Sequence, residues 1–163
     1  MSANSGRIGA LFLIGALLLA GSTRAAELSY DDYVAQVKDG RVDIDYAAFR
    51  MAYAASSKYS YATDWKVREL RAAMRKAYEA GDCPTAMARA AEIFEINFVN
   101  IDAHLGAAMC HKKDGNAARE SHELAVFRGL VSSVLKSGDG KSPATAWSSS
   151  PPTRNMRRCW HLA

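Results

Sequence analysis

The chain reads as an all-α protein, a helix-hairpin array of about six helices, and three features of the sequence predict this. Apolar residues recur at intervals of three and four through most of the body. The pairs Gly81-Asp82 and Asp114-Gly115 fall where such stretches break and restart. No alternating, strand-like pattern occurs before Gly140.

The elements follow in order. Ser29, the early acids Asp31 and Asp32, and the apolar Tyr33, Val34 and Val37 make a short first helix that Gly40 closes. Asp43 and Asp45 precede a second, in which Tyr46, Phe49, Arg50 and Tyr53 keep helical spacing until Ser56 and Ser57. Residues 58–64 are expected to form an aromatic turn. Four longer helices are expected over residues 66–80, 84–96, 101–112 and 117–136. Pro84 falls in a first turn, where its missing N–H leaves no helical bond unmade.

Gly81 and Gly115 are 34 residues apart, the period of tetratricopeptide units. In that register Leu70 lies over His104, Ala73 over Ala107 and Met74 over Ala108. Small residues at these places suit close helix packing, although the bulky Trp, Leu and Tyr signature of such repeats is mostly absent. The array is therefore tetratricopeptide-like.

At the amino end Arg7 precedes an uncharged run over residues 8–21, and Thr23-Arg24-Ala25 offers small residues around a cleavage point. That is the pattern of a signal peptide, residues 1–25. The run is shorter than the roughly 20 apolar residues a membrane span needs, and Ser22 stands where a lipid-anchored signal carries cysteine. The expected product is periplasmic or secreted, with no stable membrane anchor after cleavage. Residues 26–147 are then one helical repeat-like domain. The whole chain carries a formal charge of +4. Without Arg7 and Arg24 it has 19 basic against 17 acidic residues, and without Arg154, Arg157 and Arg158 it has 16 against 17. A body so balanced gives no electrostatic grip on nucleic acid.

Three stretches carry a family resemblance. They are Asp43-Ile44-Asp45-Tyr46 with Phe49, Arg50, Tyr53 and Tyr59; Cys83 and Ala86 followed by Asn100-Ile101-Asp102-Ala103-His104 and Cys110; and His122 with Phe127, then residues 137–143, Thr145 and Ala146. Over residues 28–147 the chain resembles the exported bacterial proteins grouped as domain of unknown function 4919. The resemblance implies export and a helical fold, and it assigns no activity, cofactor or catalytic residue. The chain departs from the family after Trp147, where an apolar, strand-like continuation gives way to Ser148-Ser149-Ser150-Pro151-Pro152. Read in the neighbouring frame with permitted codons, these residues become an alternating apolar segment and an acidic helix start. Residues 148–163 are accordingly expected to be an irregular, frameshifted tail.

Cys83 opens one helix and Cys110 lies near the end of the next, so antiparallel packing brings them to the same side. A disulfide is expected there, the alternative being two buried thiols. His104 and His111 are seven apart, about 10.5 Å along a helix, whereas paired metal ligands on one helix sit four apart. With His122 they are expected to be satisfied interhelical residues, and no metal or cofactor is assigned. The Gly138-Asp139-Gly140-Lys141-Ser142 stretch lacks the first glycine of a phosphate loop, since Leu135 stands there, and it follows a helix rather than a strand. Gly138 is expected to be a helix C-cap. Tyr46, Tyr53, Tyr59, Tyr61 and Trp65 gather near Arg50 as a cap over the first repeat, with a ligand groove as the alternative. Arg50 is expected to pair with Asp43 or Asp45.

The function that follows is a non-catalytic protein- or peptide-interaction module. Its candidate surface comprises Arg50, Tyr53, Tyr59, Trp65, His104, His111 and His122. The alternative is a metal-binding protein or enzyme using His104, His111 and His122.

Overall fold

The helices begin alike. The computed structural model describes residues 27–138 and Lys141, and among them lie α1 (Tyr30–Lys38), α2 (Tyr46–Ala55), α3 (Tyr61–Glu79), α4 (Cys83–Ile96), α5 (Ile101–Lys113) and α6 (Ala117–Leu135), with no strand. At each start a short polar side chain accepts from the backbone N–H three residues on: Ser29, Asp45, Ser60, Asp82, Asn100 and Asn116. Each satisfies one of the donors that the first turn leaves unpaired.

The 34-residue spacing is the recurrence of one turn. Gly81 and Gly115 both adopt positive φ, +79° and +70°, where a side chain would be strained. Gly81 N–H bonds back to Tyr78 and Asp82 N–H to Ala77; Gly115 N–H bonds to Lys112 and Asn116 N–H to His111. This pair of bonds is the Schellman closure. Asp82 and Asn116 then serve as N-caps of α4 and α6. Two matching hairpins result, α3/α4 and α5/α6.

The hairpins stack, with α4 against α5 and α3 beside α5. One core, including Leu70, Met74, Ala90, Ile93 and Ala103, fills the space between them. Cys83 and Cys110 are joined in a disulfide with their Cα atoms 5.4 Å apart, tying the start of α4 to the end of α5. A second core, centred on Phe49 and Val126, gathers α1, α2, α6 and Phe98 of the α4–α5 turn. The Phe49 ring meets those of Tyr30, Tyr33 and Phe98 at centroid distances of 5.7, 5.2 and 6.4 Å.

Four expectations are corrected. Residues 58–64 are not all turn: Ser60 caps α3 and Thr63 bonds back to the Ser60 N–H, so Tyr61 already lies in the helix. The α1–α2 pair covers α6 and the α4–α5 turn rather than the first hairpin, because α2 docks on α6 at Gly129, where even a Cβ would overlap the Tyr46 ring. Gly138 is not the cap of α6, which ends at Leu135 with Lys136 as its C-cap and with Ser137 bonding Val134 through both its N–H and its hydroxyl. Arg50 turns to Ser133 of α6, donating to its Oγ at 3.1 Å, while Asp45 is used as the cap of α2. Residues 1–25, expected to be a signal peptide, and the tail after Trp147 lie outside the described residues.

Candidate functional site

The side-by-side placement of α3 and α5 leaves a groove of about 540 Å³ between them. Its α3 wall carries Arg68, Arg71 and Arg75, spaced three and four apart on one face, and its α5 side carries Leu105, Gly106 and Met109. Gly106 sets the depth, since a Cβ there would stand 3.1 Å from Sδ and Cε of Met74. Each arginine is already in an ion pair: Arg68 with Asp64 at 2.8 Å, Arg75 with Glu79 at 3.9 Å, and Arg71 across to Asp102 on α5. All six side chains are substantially exposed, and pairs of this kind contribute about 0–1 kcal/mol.

A second hollow of about 500 Å³ lies where the α1–α2 cap meets the array. Arg50, Tyr53, Tyr59, Asn97, Asn100 and Val134 line it, together with Arg71 and Asp102. The Arg71–Asp102 pair therefore stands on the boundary of both spaces. Arg50 is buried, and loss of solvent lowers the pKa of its guanidinium from the usual arginine value. Its partner Ser133 donates in turn to the carbonyl of Leu130 at 2.7 Å. In the adjoining turn, Asn97 Oδ1 is buried without a hydrogen-bond partner among the described residues. Burial pushes the Tyr53 phenol up to about 12, with Asp64 and Tyr59 adding to the shift. Tyr46, behind the hollow, is pushed to about 12 by burial and by Asp43.

The residues singled out from the sequence divide. Arg50, Tyr53 and Tyr59 come together in the second hollow. Trp65 lies outside it on α3, 56 % exposed, donating to Glu69 at 3.2 Å with Arg68 across its ring. Tyr61 also faces solvent. None of the three histidines lines either space. His104 is buried with Glu123 Oε2 2.6 Å from Nδ1 and the Phe98 carbonyl 2.7 Å from Nε2, so neither nitrogen is open to a metal. His111 sits at the end of α5 and His122 on α6. Among the described residues no three His, Cys, Asp or Glu side chains could hold a metal ion.

Sequence reasoning missed the α3 arginines, Leu105, Met109 and Glu123. Arginines at 68, 71 and 75 look like a solvated face, and only the alignment of α3 with α5 makes that face a wall. Gly106 was the available signal, because a glycine inside a helix costs about 1 kcal/mol relative to alanine unless packing requires it. No family model, curated protein or solved structure matches the chain.

Proposed function

We propose that this chain is an exported, non-catalytic interaction module that receives an extended segment of a partner protein in the groove between α3 and α5. The observation that carries the reading is that the two hollows share Arg71 and Asp102 in their lining, so they lie end to end along α3. From Asp64 to Glu79 the track follows α3 for roughly 22 Å, enough for about six or seven extended residues. Leu105 and Met109 offer apolar contacts, and the guanidinium groups of Arg68, Arg71 and Arg75 offer donors to main-chain carbonyls or carboxylates. Exchanging a weak surface ion pair for a ligand contact costs little.

Export is supported by the leader pattern of residues 1–25 and by the Cys83–Cys110 bridge, a bond suited to an oxidising compartment. Kinship with the domain of unknown function 4919 proteins rests on the sequence motifs and adds no activity.

The test is a displayed peptide library selected against the disulfide-bonded protein without residues 1–25. Enriched peptides should lose tenfold or more in affinity against Met109→Glu, a change at a partly exposed position. Arg41→Glu, at an exposed position between α1 and α2 that lines neither hollow, should leave them unaffected. A library that enriches nothing, or peptides that bind Met109→Glu equally well, would refute the reading.

A further inference from the structure

The hollow where the α1–α2 cap meets the array holds polar groups that the fold does not use. Tyr53 is 7 % exposed and Asn100 9 %, and both line it. Among the described residues the Tyr53 hydroxyl makes no hydrogen bond, and burial, which pushes the phenol up to about 12, keeps its proton in place. Asn100 Oδ1 accepts from the Ala103 N–H, which fixes the amide and leaves the Nδ2 donors without an acceptor among the same residues. Neither group is sealed off in the way that Asn97 Oδ1 is, so both open to the hollow. Ile101 and Asp102 line it too, in the first turn of α5, where the N–H groups of a helix have no acceptor of their own. Every one of these unmet groups can donate. The acids in the lining are already matched, Asp102 by Arg71 and Asp64 by Arg68, while Arg50 is engaged with Ser133.

Donors gathered at the positive end of a helix suit an acceptor that carries negative charge. We propose that this hollow is a carboxylate-binding site, in which the two oxygens of one carboxylate receive the Tyr53 hydroxyl, the Asn100 amide and the first-turn N–H groups of α5. Arg71 has five N–H donors and one acid partner, so it can turn a further donor to the same oxygens without leaving Asp102. Val99, Ile101 and Val134 supply the apolar part of the lining, against which the stem of the ligand lies. The volume of about 500 Å³ admits a small organic acid or the last residues of a protein chain. Both sources present the same group to the same donors. The site stands whether or not the α3–α5 groove receives a peptide.

Butyrate and its neutral analogue butyramide, nearly equal in size, are the probes for the site itself. Added at millimolar concentration to the 15N-labelled protein, butyrate should move the Asn100 side-chain signals and the Ile101 and Asp102 main-chain signals along a saturable curve. Butyramide should bind about tenfold more weakly or not at all. Two substitutions remove donors and spare the fold. Tyr53→Phe takes away a hydroxyl that bonds nothing among the described residues, and should weaken butyrate about tenfold. Asn100→Asp keeps an oxygen for the Ala103 N–H, aspartate capping a helix as well as asparagine, but sets a carboxylate where the amide stood, and should abolish binding. Circular dichroism should be unchanged in both. No saturable shift, equal binding of butyramide, or wild-type affinity in either variant would overturn the proposal, and the comparison of acid with amide on wild type decides even if a variant fails to fold. Peptides selected by the groove, made with free and with amidated C-termini, then separate the sources: a loss of tenfold or more on amidation identifies a chain end as the ligand, and equal binding identifies a free acid. A library that selects nothing counts against the groove and leaves the butyrate result standing.

Discussion

Replacing Gly129 with alanine is expected to weaken the protein, although helix propensity alone favours alanine by about 1 kcal/mol. The added Cβ would lie 2.1, 2.3 and 2.5 Å from Cε2, Cδ2 and Cζ of Tyr46, while carbon atoms in contact stand about 3.5–4.0 Å apart. The ring must therefore retreat by more than an ångström, and it has little freedom. Tyr46 is buried, with its hydroxyl donating to the Val42 carbonyl at 3.0 Å. Overpacking of this kind costs roughly 1–3 kcal/mol, and losing the Val42 bond adds about 1 kcal/mol. Set against the propensity gain, the net loss is about 1–3 kcal/mol, carried by the α2–α6 contact. Urea denaturation of wild type, Gly129→Ala, Tyr46→Ala and the double variant forms the assay. In the Tyr46→Ala background the ring is gone, so Gly129→Ala should become neutral or stabilising, a strong coupling in the cycle. A Gly129→Ala protein as stable as wild type, or additive effects, would refute the reasoning.

Alkali should unfold the protein between about pH 10 and 12 through Tyr46 and Tyr53. Their folded values, about 12, exceed the ordinary 10.0, so stability is complete below 10 and lost as pH climbs through 12. Denaturant midpoints should fall in that window, and a profile unchanged by Tyr53→Phe would contradict it. In acid the signs reverse for Asp82, whose carboxyl is held below its usual value by the side-chain and backbone hydrogen bonds of Thr85. Its contribution is present above the ordinary carboxylate range and lost as pH falls, whereas Asp82→Asn should keep the cap and lose that dependence, a difference visible in acid titrations followed by circular dichroism. Reducing Cys83–Cys110, 27 residues apart, should lower stability by about 3–4 kcal/mol on the chain-entropy account. Matching midpoints in oxidised and reduced samples would count against this.

Local chemistry made most of the fold legible. The starts of α1, α2, α4 and α5 were marked by Ser29, Asp45, Asp82 and Asn100 and that of α6 by the preceding Asp114-Gly115, while Asn116 as its cap went unread; the bridge between Cys83 and Cys110 followed from antiparallel packing. The beginning of α3 was not marked, because Thr63 takes the place that Glu or Gln fills in the usual capping box. What stayed hidden was contact between elements distant in sequence. Arg50 meets Ser133 across 83 positions, and Phe98 meets Tyr30 across 68. The site was half legible for the same reason: Arg50, Tyr53 and Tyr59 lie close along the chain, but their opposite wall comes from the α4–α5 turn and α6.

The doubled role of Asp82 and Asn116 leaves the two hairpins without slack. One residue completes the exit from a helix and begins the entry to its neighbour, so main-chain bonds set the corner of each pair. A residue inserted at either corner would unmake both ends at once. Changes of length are better absorbed between Ser56 and Ser60, where the chain passes from α2 to α3.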